Sequence, residues 1–408
     1  MSNRRSALAA VLTLLTAVWL AHSQSRVPAV TDAQGVVTGV AVRALSPVHP
    51  VLGIDDRFHL AWELEVVNHT ADLITVDRVE ALDDTGRKLA ELQGDELARR
   101  VQISGRETGT TFGPSHSGYI FLDVSVPKSS PLPRTIRHRI ATTTQRRAAP
   151  GDDHHASTDP AARLKEPTLT FIGAAVSVDP TPAVAIAAPL RGSDWLVANG
   201  CCDESLNGHR IVTFAFNGAI TAPEKFAIDI LQLDRDHRLY TGPADKLSSY
   251  AYYGVPVYAV ADGTVVYIED GAPDQTPGTL PAGMTPATAG GNNVVMDIGT
   301  GHFAYYAHLQ PGSIRVRAGD RVHRGDILGR LGNTGNTTNP HLHFHITDGP
   351  SPLGSNSLPY VFTNLKVTGT VIAVEPVVLE GKPATINPAM AGPHPNRLPP
   401  NMALVSFE

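Results

Sequence analysis

Apolar and polar residues alternate in several stretches of the first third of the chain. Three of these stretches, separated by turn-forming residues, cover residues 58–67, 74–82 and 118–126. Alternation with a period of two places the apolar side chains on one face of a strand, and such half-buried strands are typical of antiparallel sheets. The pattern therefore predicts a β-sandwich over residues 27–147, with a short helix over 91–101.

A different pattern begins at about residue 184. Six short strand-like segments with Gly-containing turns and almost no helical periodicity predict a second, antiparallel β domain over 184–375. Residues 271–290, rich in Pro, Gly and Thr, interrupt this series as a long loop. We expect 148–183 to be a linker and 376–408 to be a Pro-rich C-terminal tail. The fold class is thus mainly β, and the second domain is expected to fold without the first.

The N-terminus has the pattern of an export signal. An apolar run over residues 7–21 follows Arg4 and Arg5 and ends at Ala21-His22-Ser23, a small-x-small sequence at which a signal peptidase could cut. These fifteen residues are fewer than the about 20 that a membrane span needs. Residues 1–23 are therefore predicted to be a signal peptide, with an uncleaved N-terminal anchor as the alternative. Both predict an extracytoplasmic protein that is secreted, periplasmic or in the cell envelope.

Composition narrows the range of partners. A chain of 408 residues exceeds the usual size of a single core, which agrees with two domains. The net charge of -6 provides no basic excess for nucleic-acid binding.

The only two cysteines, Cys201 and Cys202, are adjacent and cannot join distant segments. Three alternatives therefore apply to these two residues: a vicinal disulfide, free thiols or metal ligands.

The segment Pro340-His-Leu-His-Phe-His-Ile346 contains the strongest chemical signal. On a strand, His341, His343 and His345 line one face, because successive side chains point to opposite faces. Three imidazoles on one face favour a metal site or a paired-histidine catalytic site. Hydrolytic metal sites use three ligands from His, Asp or Glu, so the other ligands must come from other strands. Asp229 and His308 stand out because each interrupts an apolar strand-like segment.

Several motifs in order resemble the M23 family of zinc metallopeptidases, the lysostaphin-like or LytM-type peptidoglycan hydrolases. The resemblance covers about residues 200–365. The matching segments are Pro256-Val-Tyr-Ala-Val-Ala-Asp-Gly-Thr-Val-Val, Gly291-Asn-Asn-Val-Val, Tyr305-Tyr-Ala-His-Leu309, residues 316–329 and Gly332-Asn-Thr-Gly-Asn-Thr-Thr-Asn-Pro-His-Leu-His-Phe-His345.

This resemblance implies an antiparallel β domain with an open groove, a zinc ion (Zn2+) and cleavage of peptide bonds in the cross-links or stem peptides of peptidoglycan. It implies that Asp229 and His343 bind the metal. It also implies that His308 and His341 are the two histidines that flank the reactive water without binding the metal. A neutral histidine of this kind can accept a proton from water, and a protonated one can stabilise the oxyanion or the leaving amine.

One position departs from the family pattern. The family's first motif is His-x-x-x-Asp, but Lys225-Phe-Ala-Ile-Asp229 has Lys where the His is expected. Three ligands must be found, and His209, upstream of the segment that contains Asp229, is the preferred substitute. Cys201 or Cys202 is a weaker alternative. If no substitute exists, the chain is an inactive M23-like module that binds the wall or activates another hydrolase.

Overall fold

The computed structural model of this protein describes residues 35–105, 109–146, 164–165, 167–202 and 208–407. Strands predominate in these ranges, and each of the two α-helices has six residues. The prediction of a mainly β chain is confirmed. The first elements are β1 (Val40–Ala44), β2 (Val51–Leu52), β3 (Arg57–Asn68), β4 (Leu73–Leu82), β5 (Lys88–Gln93), α1 (Gly94–Arg99), β6 (Val101–Ile103), β7 (Thr111–Phe112), β8 (Ser117–Pro127), β9 (Thr135–Arg146), β10 (Leu164–Lys165) and β11 (Leu169–Ser177).

The later elements surround the candidate site. They are β12 (Val184–Ile186), β13 (Gly192–Ala198), β14 (Phe214–Phe216), β15 (Ala219–Thr221), β16 (Ile228–Gln232), a 3-10 helix (Leu247–Ser249), β17 (Pro256–Tyr258), β18 (Gly263–Glu269), β19 (Asn292–Asp297), β20 (Phe303–Leu309), β21 (Arg321–Val322), β22 (Ile327–Arg330), β23 (Leu342–Thr347), β24 (Ser357–Leu358), β25 (Tyr360–Phe362), β26 (Leu365–Val371), α2 (Glu375–Glu380), β27 (Ile386–Asn387), β28 (Gly392–Pro393) and β29 (Ala403–Phe407).

The elements β1 to β11 form two antiparallel sheets, which we call the N-terminal sheets. In one, β3 pairs with β1, β2 and β8, and β8 pairs with β6; in the other, β9 pairs with β4, β10 and β11, and β4 pairs with β5 and β7. Their apolar side chains form one buried cluster that includes Trp62, Val79, Ile120 and Ile140. This arrangement follows from the period-two pattern, because each strand contributes only one apolar face to the space between the sheets.

Two segments of the N-terminal part differ from the sequence predictions. Residues 91–93 end strand β5, so the predicted helix over 91–101 is reduced to α1. The expected linker over 148–183 contains β11, which pairs with β9 from Leu169 to Ser177. This strand extends the second N-terminal sheet because Phe171 packs against its core.

The later strands form a twelve-stranded sheet in the order β21-β18-β19-β20-β23-β16-β13-β29-β26-β27, to which β24 and β28 are attached. The strands β20, β23 and β16, which contain the candidate site residues His308, His343 and Asp229, are adjacent in the middle of this order. The expectation of a C-terminal tail over 376–408 is wrong for β29, because this strand lies between β13 and β26. Its residues Ala403, Leu404, Val405 and Phe407 are buried, which explains their apolar pattern.

The two parts of the chain share apolar packing. Val51, Ile54 and Ala61 of the N-terminal part belong to the same buried cluster as Phe226, Ile228 and Phe344. Residues Val36–Glu408 accordingly form one compact unit. The second domain is predicted to fold without the first, but in the full chain its buried core also includes side chains of the N-terminal part.

None of the helices in the part of the chain that the structure describes has the length and apolar character needed to cross a membrane. The predicted signal peptide or anchor over residues 1–23 lies outside the described residues.

Candidate metal centre

Strand pairing brings Asp229 and His343 together. These residues are opposite each other in the antiparallel pair of β16 and β23, and His343 Nδ1 lies 3.1 Å from Asp229 Oδ1. Both side chains are buried. A buried carboxylate needs cations or hydrogen-bond donors, and Asn199 Nδ2 also donates to Asp229 Oδ2 at 2.8 Å. The site is therefore built on two adjacent central strands.

His209 reaches the same point from outside the sheet. It lies between β13 and β14, and its Nε2 is 3.4 Å from Asp229 Oδ2. Its Nδ1 donates to the carbonyl of Asn199 at 3.2 Å, because a carbonyl can only accept. This hydrogen bond directs Nε2 and its lone pair toward Asp229. One ligand atom each from His209, Asp229 and His343 lies within 4.8 Å of the others.

These three residues fit a zinc ion. Catalytic zinc sites take three His or carboxylate ligands, and tetrahedral bonds of about 2.0–2.1 Å place ligand atoms roughly 3.3 Å apart. The distances from Asp229 to His209 and His343 are 3.4 and 3.1 Å. Ligating histidines usually donate their other ring N–H to a neighbour, as His209 does to Asn199. His209 Nε2, the Asp229 carboxylate and His343 Nδ1 could therefore hold zinc.

The electrostatics of the group favour an ionised carboxylate. Burial alone would raise the pKa of Asp229, but the charges of His209 and His341 and hydrogen bonds from His341 and His343 hold this pKa well below its usual range. Burial opposes protonation of His343, yet its hydrogen bond to Asp229 and the nearby Glu224 raise its pKa. The centre thus combines an ionised buried carboxylate with imidazole rings, which are the ligand types that zinc takes.

His308 and His341 lie beside the ligand group, with their ring centroids 4.5 Å apart. His308 Nδ1 donates to the carbonyl of Thr334 at 2.7 Å, and His341 Nδ1 donates to the carbonyl of Asn339 at 2.8 Å. The backbone thus holds Nδ1 of each ring, and His341 Nε2 lies 3.3 Å from Asp229 Oδ1. The arrangement provides two fixed imidazoles for proton transfer.

The backbone of His308 is in an uncommon conformation. Its φ of 61° lies in the left-handed region that L residues rarely adopt, and its N–H donates to the Gly290 carbonyl at 3.0 Å. Burial, together with the charges of His341 and His343, lowers the pKa of His308 well below its usual value. A neutral imidazole is the form that accepts a proton.

His345 is a member of the site whose role the sequence did not reveal. Its side chain is fully buried, and its Nδ1 lies 3.0 Å from Nε2 of His343. Burial, followed by the charges of His343 and His209, lowers the pKa of His345 well below its usual value, so the ring is neutral. A neutral His345 can accept the Nε2–H of His343 and leave the Nδ1 lone pair of His343 free for a metal. The strand alternation of His341, His343 and His345 was the available signal.

Lys225 is not part of the ligand group. It is buried, and its Nζ forms an ion pair with Glu63 Oε2 at 2.9 Å and a hydrogen bond to Ser46 Oγ at 3.3 Å. Cys201 and Cys202 are joined to each other by a disulfide, so neither offers a free thiolate ligand. Of the substitutes weighed for the missing histidine, the structure places only His209 with Asp229 and His343 within the described residues.

Comparison with known proteins agrees with the motif order. Residues 247–354 match Peptidase family M23. Peptidoglycan DD-endopeptidase ShyA of Vibrio cholerae is 34% identical over 93 residues, which are 23% of this chain and 17% of that protein. Glycyl-glycine endopeptidase ALE-1 of Staphylococcus capitis is 38% identical over 92 residues, which are 22% of this chain and 21% of that protein. The chain thus spans about a fifth of the length of these curated relatives.

Among solved structures, the chain is similar to the catalytic domain of the antimicrobial peptidase lysostaphin from Staphylococcus simulans. The two are 23% identical, the match covers 35% of this chain and 80% of that chain, and the TM-score is 0.21. The family assignment rests on the sequence match, which begins after His209 and Asp229 and includes His308, His341 and His343. The chain therefore contains a Peptidase family M23 domain, over residues 247–354.

Proposed function

We propose that this protein is a zinc-dependent endopeptidase that cleaves peptide bonds in the cross-links or stem peptides of peptidoglycan. The observation that supports this most directly is the convergence of His209, Asp229 and His343, with His308 and His341 beside them. The substrate class is taken from the named activities of the peptidoglycan and glycyl-glycine endopeptidases to which the chain is similar.

The residues of the site divide into two roles in this proposal. His209, Asp229 and His343 would hold zinc, which when bound supplies a Lewis acid that polarises the scissile carbonyl and acidifies a water molecule. His308 and His341 present Nε2 toward the same space, since their Nδ1–H groups are held by the Thr334 and Asn339 carbonyls. One of them accepts the proton of the attacking water, and the other stabilises the developing charge or donates a proton to the leaving amine.

The location follows from the substrate. Peptidoglycan lies outside the cytoplasmic membrane, and the apolar N-terminal run after Arg4 and Arg5 is typical of exported proteins. We therefore propose extracytoplasmic action, either as a secreted protein or as one held at the envelope by residues 1–23.

An inactive wall-binding module is the competing proposal, because Lys225 replaces the histidine that the family motif requires. The distance of 3.4 Å between His209 Nε2 and Asp229 Oδ2 supports the active enzyme over this alternative, since His209 would supply the third ligand.

The test is to measure zinc content in the purified protein and to digest isolated peptidoglycan, with mass spectrometry of the released fragments. We expect about one zinc per chain and new amino and carboxyl termini at one type of peptide bond. His343→Ala should remove both results. His323→Ala, which changes an exposed histidine, is the matched control and should retain them. Zinc-loaded protein that leaves every substrate intact would favour the inactive module.

A further inference from the structure

The three candidate ligands are held in different ways. Asp229 and His343 belong to paired strands, so backbone hydrogen bonds of the sheet fix their positions. His209 belongs to no strand, and its own side chain has one backbone hydrogen bond, to Asn199. A ligand must be held within a few tenths of an ångström for tight metal binding. His209 therefore needs an anchor that the twelve-stranded sheet does not supply.

The next residue, Arg210, has such an anchor in the N-terminal sheets. Its Nη1 donates to Glu63 Oε1, and its Nε donates to Asp123 Oδ1 at 3.1 Å. Its Nη2 donates to the carbonyls of Trp62 and Leu122, each at 3.0 Å. These four groups lie on β3 and β8, which are paired with each other. Arg210 is buried, so water does not compete for this set of hydrogen bonds.

The surrounding charges keep this anchor in place. Glu63 is fully buried and also pairs with Lys225 at 2.9 Å, while Asp123 also pairs with Arg100 at 3.0 Å. A buried charge without a partner is costly. Each carboxylate here has two cationic partners, so the loss of Arg210 alone would leave neither without one. This allows the role of Arg210 to be tested without creating an unpaired buried anion.

We propose that Arg210 is a positioning residue of the metal centre, which fixes His209 by attaching the adjacent backbone to β3 and β8 of the N-terminal sheets. The N-terminal sheets then act as part of the scaffold of the site, in addition to any part they have in binding the wall. This inference rests on the proposed role of His209 as a zinc ligand. It predicts that zinc affinity depends on a residue that does not contact zinc.

The experiment compares Arg210→Met and Lys225→Met in the full chain. Both changes remove one cation from Glu63, but Lys225 precedes β16, where strand pairing fixes Asp229 independently. The zinc dissociation constant is measured by competition with a chromophoric chelator, and folding of the metal-free proteins is followed by thermal unfolding. We expect Arg210→Met to weaken zinc binding by about 10- to 100-fold, the usual effect of losing support for a ligand. Lys225→Met should bind zinc as the wild type does.

The visible spectrum of the cobalt(II)-substituted proteins gives a second measurement, because it reports coordination geometry rather than stability. It should change in Arg210→Met and not in Lys225→Met. Equal zinc affinity and equal spectra in wild type and Arg210→Met would overturn this inference alone. Absence of zinc binding by the wild type would overturn the proposed function and this inference with it.

If Arg210→Met does not fold, Arg210→Lys serves in its place. Lys keeps the charge but lacks the planar fork that reaches Glu63, Asp123 and the two carbonyls together. We expect weakened zinc binding in this variant, and wild-type affinity would overturn the proposal.

Discussion

Asp229 on β16 and His343 on β23 are directly opposite each other in an antiparallel strand pair, with His343 Nδ1 at 3.1 Å from Asp229 Oδ1. The register of this strand pair therefore sets the relative position of two of the three candidate ligands. A shift of this register by one residue would turn the imidazole of His343 to the opposite face. The buried apolar residues Leu342 and Phe344, which occupy that face, oppose such a shift.

The first prediction separates metal binding from proton transfer. His343→Ala should abolish stoichiometric zinc binding, because it removes a ligand. His308→Ala and His341→Ala should retain zinc and lose activity by about 10²- to 10⁴-fold, the usual contribution of a general acid or base. Zinc content and peptide hydrolysis, measured on the same samples, check both parts. Full zinc occupancy with intact turnover in His343→Ala would contradict the assignment.

The second prediction concerns the position of the missing family histidine. His209→Ala should lose tight zinc binding, and adding Lys225→His to this variant should not restore it. The side chain at 225 points to Glu63 and Ser46 in the N-terminal part of the chain. Isothermal titration with zinc compares the single and double variants. Recovery of zinc affinity in the double variant would mean that a side chain at position 225 can reach Asp229.

The third prediction concerns His345. His345→Phe should weaken zinc binding by about 10- to 100-fold, because it removes the acceptor that orients the His343 ring. His345→Gln is the matched control, since its side-chain carbonyl can accept the same hydrogen bond and should preserve most of the affinity. Chelator competition at fixed pH measures both variants. Equal losses in the two variants would assign the effect to packing.

The fourth prediction is a pH effect on stability in the N-terminal sheets. His138 Nε2 accepts a hydrogen bond from Trp62 Nε1 at 2.9 Å, and its Nδ1 donates to the Ala174 carbonyl at 2.7 Å. Burial lowers the pKa of His138 to about 4 from its ordinary value of 6.5. In the unfolded chain the imidazole takes up a proton below pH 6.5, whereas in the folded chain it stays neutral until about pH 4. Stability from this group is therefore complete above pH 6.5 and is lost as the pH falls through this window.

The expected loss is about 3.5 kcal/mol, from roughly 2.5 pH units at about 1.4 kcal/mol each. Urea unfolding of wild type and His138→Gln between pH 7 and pH 4 measures it. The variant should be less stable at pH 7, and its disadvantage should shrink toward pH 4, because Gln does not titrate. A constant difference across this range would show that the folded and unfolded states protonate residue 138 alike.

Much of the candidate site could be predicted from the sequence because it is encoded locally. Alternation in residues 340–346 places three histidines on one face of a strand, and an acidic residue in an apolar strand marks Asp229. The order of the motifs identifies the M23 domain that the family match confirms. The period-two pattern of the first third likewise predicts the strands of the N-terminal sheets.

The contacts of Lys225 and Arg210 and the position of the last strand were decided only by the tertiary structure. Glu63 lies 147 residues before Arg210, and no local pattern in the sequence predicts that this residue of β3 pairs with both Arg210 and Lys225. The strand Ala403–Phe407 is too short and too close to Pro-rich sequence to be distinguished from a tail, yet it lies between β13 and β26. Local periodicity determines which residues form strands and which face they present. Which strands become neighbours, and which buried charges meet, depends on packing between segments that are distant in the chain.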